Sequence, residues 1–216
     1  MRLLNYGLLK RGLLLGFLSL FAVACSAADS STAYQLGKQY RQAGQVQKPD
    51  NPKRITVEEF FWYGCPHCYH LEPEINKWLE HKPADVDFVR IPNSLGRDIG
   101  VLHERAFYIA QTLNILDKTH EPMFDAIHSQ GFPMSSLESI RDLYVEKAGI
   151  KPQDFDGIAS SFVVDSAMRR ADDLAVSYGI TGTPTIVVGG EYIVDAQNDM
   201  FKVVDFVIDK VRKERK

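Results

Sequence analysis

Hydrophobic positions along this chain change their period in an ordered way. Ile55-Thr-Val-Glu-Glu-Phe-Phe-Trp62 is rich in β-branched and aromatic residues and predicts a buried strand, closed by Tyr63-Gly64. From Cys65 the spacing turns helical, with Leu71, Ile75, Trp78 and Leu79 as its apolar positions, and the pattern fades at His81-Lys82-Pro83. Val86-Asp-Phe-Val-Arg-Ile91 predicts a second strand, which places Cys65 at the N-terminus of the helix in a strand–helix–strand unit. Between Gly100 and about Ser161 the pattern is helical in short pieces, interrupted at Glu121-Pro122, Gly131-Phe-Pro133 and Gly149-Ile-Lys-Pro152. Ala106, Ile109, Ala110 and Leu113 form one stripe of that stretch, and Ile140, Leu143 and Tyr144 another. A further helix runs from about Val164 to Tyr178, with Gly179 as its C-cap. Thr185-Ile-Val-Val188 and Glu191-Tyr-Ile-Val194, joined by Gly189-Gly190, predict a hairpin with a two-residue turn. A last amphipathic helix spans about Asp199 to Arg212. Residues 29–53 are polar and carry Gly37, Gly44, Pro49 and Pro52, so they read as a lead-in with little buried area. The alternation is that of an α/β fold, and neither an internal repeat nor a linker divides the chain.

The N-terminus has a different pattern. Residues 1–11 hold three cations and no acid, Gly12 to Ala24 is a continuous apolar run, and small residues follow from Cys25 to Ala28. This is the three-part signature of an export signal, and the run is too short to span about 30 Å of hydrocarbon comfortably. Cleavage after Ala28 discards Cys25 and releases a soluble protein. Cleavage before Cys25 makes residues 1–24 the signal and leaves Cys25 for lipid attachment; Ala22-Val-Ala-Cys25 is a loose lipobox, because Ala22 stands where Leu is usual. Residues 1–28 are taken as the signal, and both routes place the protein outside the cytosol.

Composition narrows the function. In 216 residues, 45% hydrophobic and 25% charged, Lys plus Arg total 25 against 28 Asp plus Glu. Setting aside Arg2, Lys10 and Arg11 leaves 22 cations against 28 acids, which is no electrostatic footprint for nucleic acid. Of the three cysteines, Cys65 and Cys68 are the thiols that remain after processing. A four-residue loop constrains little of an unfolded chain, so the pair points to chemistry.

At the first turn of a helix, free N–H groups and the positive end of the dipole favour an anion, which acidifies the Cys65 thiol. Cys68, one turn inward, is then the resolving thiol, and a stabilised dithiol form makes the disulfide an oxidant. Pro66 suits the first helical position, and His67 offers charge or a hydrogen bond near the Cys65 sulfur. Zinc is the competing reading, because Cys65, His67, Cys68 and His70 are four ligand types within six residues. At ~100° per residue His67 points some 200° away from Cys65, so one ion does not gather all four. Gly182-Thr183-Pro184 precedes the hairpin; its proline marks either a fixed tight turn or an ordinary strand entry.

Glu59-Phe-Phe-Trp-Tyr-Gly-Cys-Pro-His-Cys-Tyr69, Gly182-Thr-Pro184 about 115 residues later, and Tyr34-Gln-Leu-Gly-Lys-Gln-Tyr40 together resemble the bacterial DsbA-type thiol:disulfide oxidoreductases, from about residue 33 onward. The resemblance implies a thioredoxin fold over residues 29–216, with a helical subdomain inserted at about 100–163. It implies that Cys65 is the nucleophile, Cys68 the resolving cysteine, and Pro184 a cis-proline whose neighbouring backbone binds substrate. Glu59 matches a buried acid that assists proton transfer; the alternative for it is an exposed edge carboxylate. Arg90 stands where the family often has a lysine, and arginine does not titrate. Thr183 stands where Val is common in DsbA proteins and Thr is more usual in disulfide isomerases.

The implied activity is the introduction of disulfides into newly translocated proteins in the periplasm, by a monomer with no metal or organic cofactor. Its partners are unfolded exported proteins with free thiols and a DsbB-like quinone-coupled membrane oxidase. Trp62, with Thr183, is a candidate substrate-binding residue, and Tyr63 and Tyr69 are groove or core. The alternatives are an isomerase or reductase, and a periplasmic metal-handling thiol protein.

Overall fold

The computed structural model describes residues 34–49 and 51–216; the expected export signal and Cys25 lie outside the described residues. Five strands form one sheet in the order β1-β5-β4-β2-β3, where β1 is Arg41–Gln42, β2 Ile55–Phe61, β3 Val86–Pro92, β4 Thr185–Val188 and β5 Tyr192–Asp195. Strand β2 lies inside the sheet, parallel to β3 and antiparallel to β4, which is why Ile55, Val57, Phe60 and Phe61 are all buried along it. Helix α1 (Pro66–Leu79) crosses from β2 to β3. Five helices then separate β3 from β4: α2 Asp98–Thr112, α3 Leu116–His128, α4 Leu137–Ala148, α5 Pro152–Ala159 and α6 Phe162–Tyr178. Helix α7 (Met200–Glu214) ends the chain.

The sheet separates two cores. Val57, Ile186, Val188 and Val194 meet Trp78 and the α7 stripe Val203, Val204, Val207 and Val211 on one side. Phe60, Val187 and Ile193 join the helical segment from the other face, where Phe107, Phe124 and Tyr144 are buried, and Phe61 reaches the same cluster from the end of β2. The helical segment is thus tied directly to the end of β2. Phe61 is the junction, with Tyr63, Phe107 and Phe124 at ring-centroid distances of 5.1, 5.5 and 5.9 Å.

Three expectations need correction. The interruption at Glu121-Pro122 is absent: α3 runs through Pro122. An interior proline costs about 3 kcal/mol, but Thr119, His120, Met123, Phe124 and Ala126 are buried from that helix, and this packing outweighs it. The hairpin connection has three residues, Gly189, Gly190 and Glu191, and β5 resumes at Tyr192. Both glycines adopt positive φ, while the Glu191 carbonyl accepts from Ala43 N–H at 2.8 Å and is drawn out of the β4 ladder. The lead-in is not merely polar. Its β1 pairs with β5, and Tyr40 and Ala43 are buried; a two-residue strand is too short for periodicity to show.

Candidate active site

The end of β2 delivers the chain into the N-terminus of α1. Cys65 is the N-cap with extended backbone, Pro66 occupies the first turn, and Cys65 N–H donates to the Trp62 carbonyl at 2.9 Å. Gly64 is required here, since a Cβ would lie 2.3 Å from the Trp62 ring. That indole is covered on its other exposure by Arg97, whose guanidinium carbon stands 5.0 Å from the ring centroid.

The two thiols have opposite environments. The Cys65 thiol is lowered from 9.0 to about 5, first by a hydrogen bond from the Cys68 thiol, against the opposing effect of burial, and then by the Thr183 side chain and the backbone N–H groups of Cys68 and His67. Cys68 is fully buried, and burial pushes its thiol far up, with the neighbouring Cys65 and the Glu59 charge adding to it. Across the site, the Thr183 carbonyl oxygen lies 3.4 Å from Cys65 Sγ, and the Thr183–Pro184 peptide is cis. Residues more than a hundred positions apart therefore meet at one sulfur.

Beneath the pair lies a buried charge cluster. Glu59 on β2 is fully buried, and Arg90 on β3 places Nε 3.3 Å from its Oε2. Arg90 Nη2 also donates to Glu72 Oε2 on α1 at 2.8 Å. The other Glu72 oxygen accepts from His120 Nε2 on α3 at 3.1 Å, and His120 Nδ1 accepts from the Tyr63 hydroxyl at 2.9 Å. Burial, and then the charge of Glu72, push the Glu59 carboxyl up to about 8, with Arg90 opposing. Glu72 is lowered: burial acts against it, but His120 and Arg90 hold it ionised. Among the described residues, no three His, Cys, Asp or Glu side chains gather in a metal-binding arrangement.

The profile of the DSBA-like thioredoxin domain matches residues 56–205. A thiol:disulfide interchange protein DsbA of Pseudomonas aeruginosa is 35% identical over 94% of this chain and 96% of its own length, and one of Azotobacter vinelandii is 35% identical over 93% and 96%. The crystal structure of Pseudomonas aeruginosa DsbA superposes with a TM-score of 0.77 at 34% identity, covering 84% of this chain and 96% of that one. The oxidoreductase DsbA of Xylella fastidiosa gives 0.78 at 26% identity, covering 83% and 98%. The chain belongs to the DsbA-like thioredoxin family. It is a protein thiol:disulfide oxidoreductase.

This DsbA-like chain brings together most of the residues singled out in its sequence. Cys65, Cys68, Thr183 and Pro184 converge, and Glu59 is fully buried, which removes the edge-carboxylate alternative. Pro66 and His67 are exposed on the outer rim. The hydrogen bond His67 supplies to the Cys65 sulfur comes from its backbone N–H, not from the imidazole expected to tune it. Trp62 is half-buried, whereas Tyr63 is core and not groove.

Sequence reasoning missed Glu72 and His120. A signal existed for each: Cys68, Glu72 and Ile75 share the buried stripe of α1, and His120 lies one helical turn from buried Phe124. An ionisable residue on an apolar stripe has to be paired when buried.

Proposed function

We propose that this oxidoreductase is exported and works as a disulfide donor to newly translocated proteins. The geometry that carries the reading is Cys65 at the N-cap of α1 against the cis Thr183–Pro184 turn, with Cys68 fully buried behind it, an arrangement that favours a thiolate at Cys65 and a thiol at Cys68. A client thiolate attacks Cys65 Sγ of the disulfide form, and the electron pair of the S–S bond passes to Cys68 Sγ. Glu59, whose carboxyl is pushed up to about 8 by burial, gives Cys68 its proton. A second client thiolate then attacks the client sulfur of the mixed disulfide, and Cys65 departs as a low-pKa thiolate, the better leaving group. The client is oxidised by two electrons and the pair is reduced. The Thr183 carbonyl and the Pro184 turn are positioned to receive the client backbone, with Trp62 as the adjoining wall.

Reoxidation falls to a DsbB-like quinone-coupled membrane partner. Residues 1–28 act as the export signal, or 1–24 with a lipid on Cys25, and the remainder is one thioredoxin-like unit carrying the helical insertion. Among the described residues no helix is long and apolar enough to cross a membrane. The deciding measurement is the equilibrium reduction potential against glutathione, followed by Trp62 fluorescence. A DsbA already defines the oxidising end of the scale near roughly −120 mV, so the direction is the family's; a value above about −180 mV supports donation, and one near the thioredoxin value of about −270 mV overturns it in favour of a reductant. Cys65→Ala is expected to abolish oxidation of a dithiol peptide, and Cys68→Ala to accumulate mixed disulfides with clients.

A further inference from the structure

The cluster beneath Cys68 has an internal order that the redox chemistry does not by itself require. Arg90 faces two carboxylates and serves them unequally. Glu72 receives a direct 2.8 Å hydrogen bond from Nη2, whereas both oxygens of Glu59, and Arg90 Nε beside them, lack a hydrogen-bond partner. The difference originates on α3. The Tyr63 hydroxyl donates to Nδ1 of His120, which leaves the ring proton on Nε2, aimed at Glu72. In the opposite tautomer a lone pair would face a carboxylate. Burial keeps the ring neutral, and Glu72 is exposed by only 8%, so its charge needs both donors.

We propose that His120 is a positioning residue for the redox pair: its two hydrogen bonds fix Glu72 as the ionised partner of Arg90 and thereby leave the carboxyl of Glu59 as the protonated one. The groups facing Glu59 are Arg90 from β3, Glu72 and Cys68 from α1, and Tyr63 from the turn, with His120 of α3 behind Glu72; on the β4 side Ile186 is apolar. With Glu72 and Arg90 cancelling, the cluster is neutral when Glu59 carries its proton. When the S–S electron pair arrives on Cys68, that proton moves from Glu59 to the sulfur, and the new carboxylate lies next to Arg90. The helical insertion thus takes part in the chemistry through a residue that never touches the substrate. The consequence for rate rests on the proposed role of Glu59; the order of ionisation does not.

The test is a carbon-13 carboxyl titration of Glu59 in the disulfide form, where neither cysteine titrates. His120→Leu and Glu72→Gln are expected to lower the Glu59 midpoint by about one pH unit or more, the usual size of a neighbouring-charge effect. Both act in one direction, because loss of the Glu72 charge removes a repulsion and frees Arg90 for Glu59. His120→Gln is expected to keep the wild-type midpoint, since an amide both donates to Glu72 and accepts from Tyr63. Tyr63→Phe keeps the buried ring and removes only one hydroxyl, and it is expected to give a smaller shift of the same sign. An unmoved midpoint in Glu72→Gln and Tyr63→Phe overturns the proposal, as does a shift in His120→Gln equal to that in His120→Leu. Oxidation of a dithiol peptide, expressed per client thiolate, is expected to slow several-fold at neutral pH in Glu72→Gln. A shifted midpoint with an unchanged rate upholds the ionisation order and overturns the proton-donor role of Glu59.

Discussion

Reducing the Cys65–Cys68 pair is expected to stabilise the fold, and acid is expected to cancel the gain. In the unfolded chain the Cys65 thiol titrates at its ordinary 9.0; in the folded dithiol it titrates at about 5, chiefly through the Cys68 hydrogen bond. A depressed folded value contributes stability that is complete above 9, declines by about 1.36 kcal/mol per pH unit below it, and is gone below 5. At pH 7 two of those four units apply, a ceiling of about 2.7 kcal/mol. Cys65 stands at the exposed first turn of α1, next to solvent-facing Pro66 and His67, and solvent screening brings this to roughly half, equivalent to ~30 mV on the two-electron potential. The disulfide form has no thiolate and lacks this contribution at every pH. Urea unfolding of both forms at pH 5, 6, 7 and 8 isolates it, because the difference in stability, reduced minus oxidised, is expected to grow by about 2–4 kcal/mol over that range. Thiolate absorbance in the ultraviolet gives the midpoint independently. A difference that does not change with pH, or an absorbance midpoint near 9, would refute the assignment of Cys65 as the stabilised thiolate.

Thr183→Val removes a side-chain hydrogen bond that favours the Cys65 thiolate; the thiolate midpoint is expected to rise by up to about one unit and the potential to fall by roughly 10–30 mV, and an unchanged absorbance titration would contradict this. Gly64→Ala drives a methyl into the Trp62 ring; it is expected to cost about 1–3 kcal/mol in urea unfolding and to shift tryptophan emission, and wild-type values for both would show that the indole is not held as described.

The parts of this molecule that could be read in advance are those whose cause is local. Period-2 and period-3.6 patterning located β2, α1, β3 and α6 within a few residues, because each buries one face of its own sequence. Cys-Pro-His-Cys was readable because proline, N-cap and thiol act within one helical turn. What escaped was set by contacts distant in sequence. Pro122 reads as a break until Phe61 and Tyr63 are seen to pack on α3, and Arg41–Gln42 become a strand only because β5 presents an edge to them. Glu72 and His120 carry no motif, since their partners come from four separate elements.

The same distinction bears on Arg90. A lysine between two buried carboxyls shares its proton with them, and the charge state of the whole cluster then floats. Arginine does not give up its proton, and its planar fork reaches Glu59 with Nε and Glu72 with Nη2 at once. The cation is therefore constant, and only the carboxyls titrate. Of these, Glu72 has two hydrogen-bond donors and Glu59 has none, so under the proposed role the carboxyl expected to move a proton at neutral pH is that of Glu59. An arginine at this place is compatible with the proposed proton transfer from Glu59, and it leaves the choice of the titrating carboxyl to the hydrogen bonds of α3.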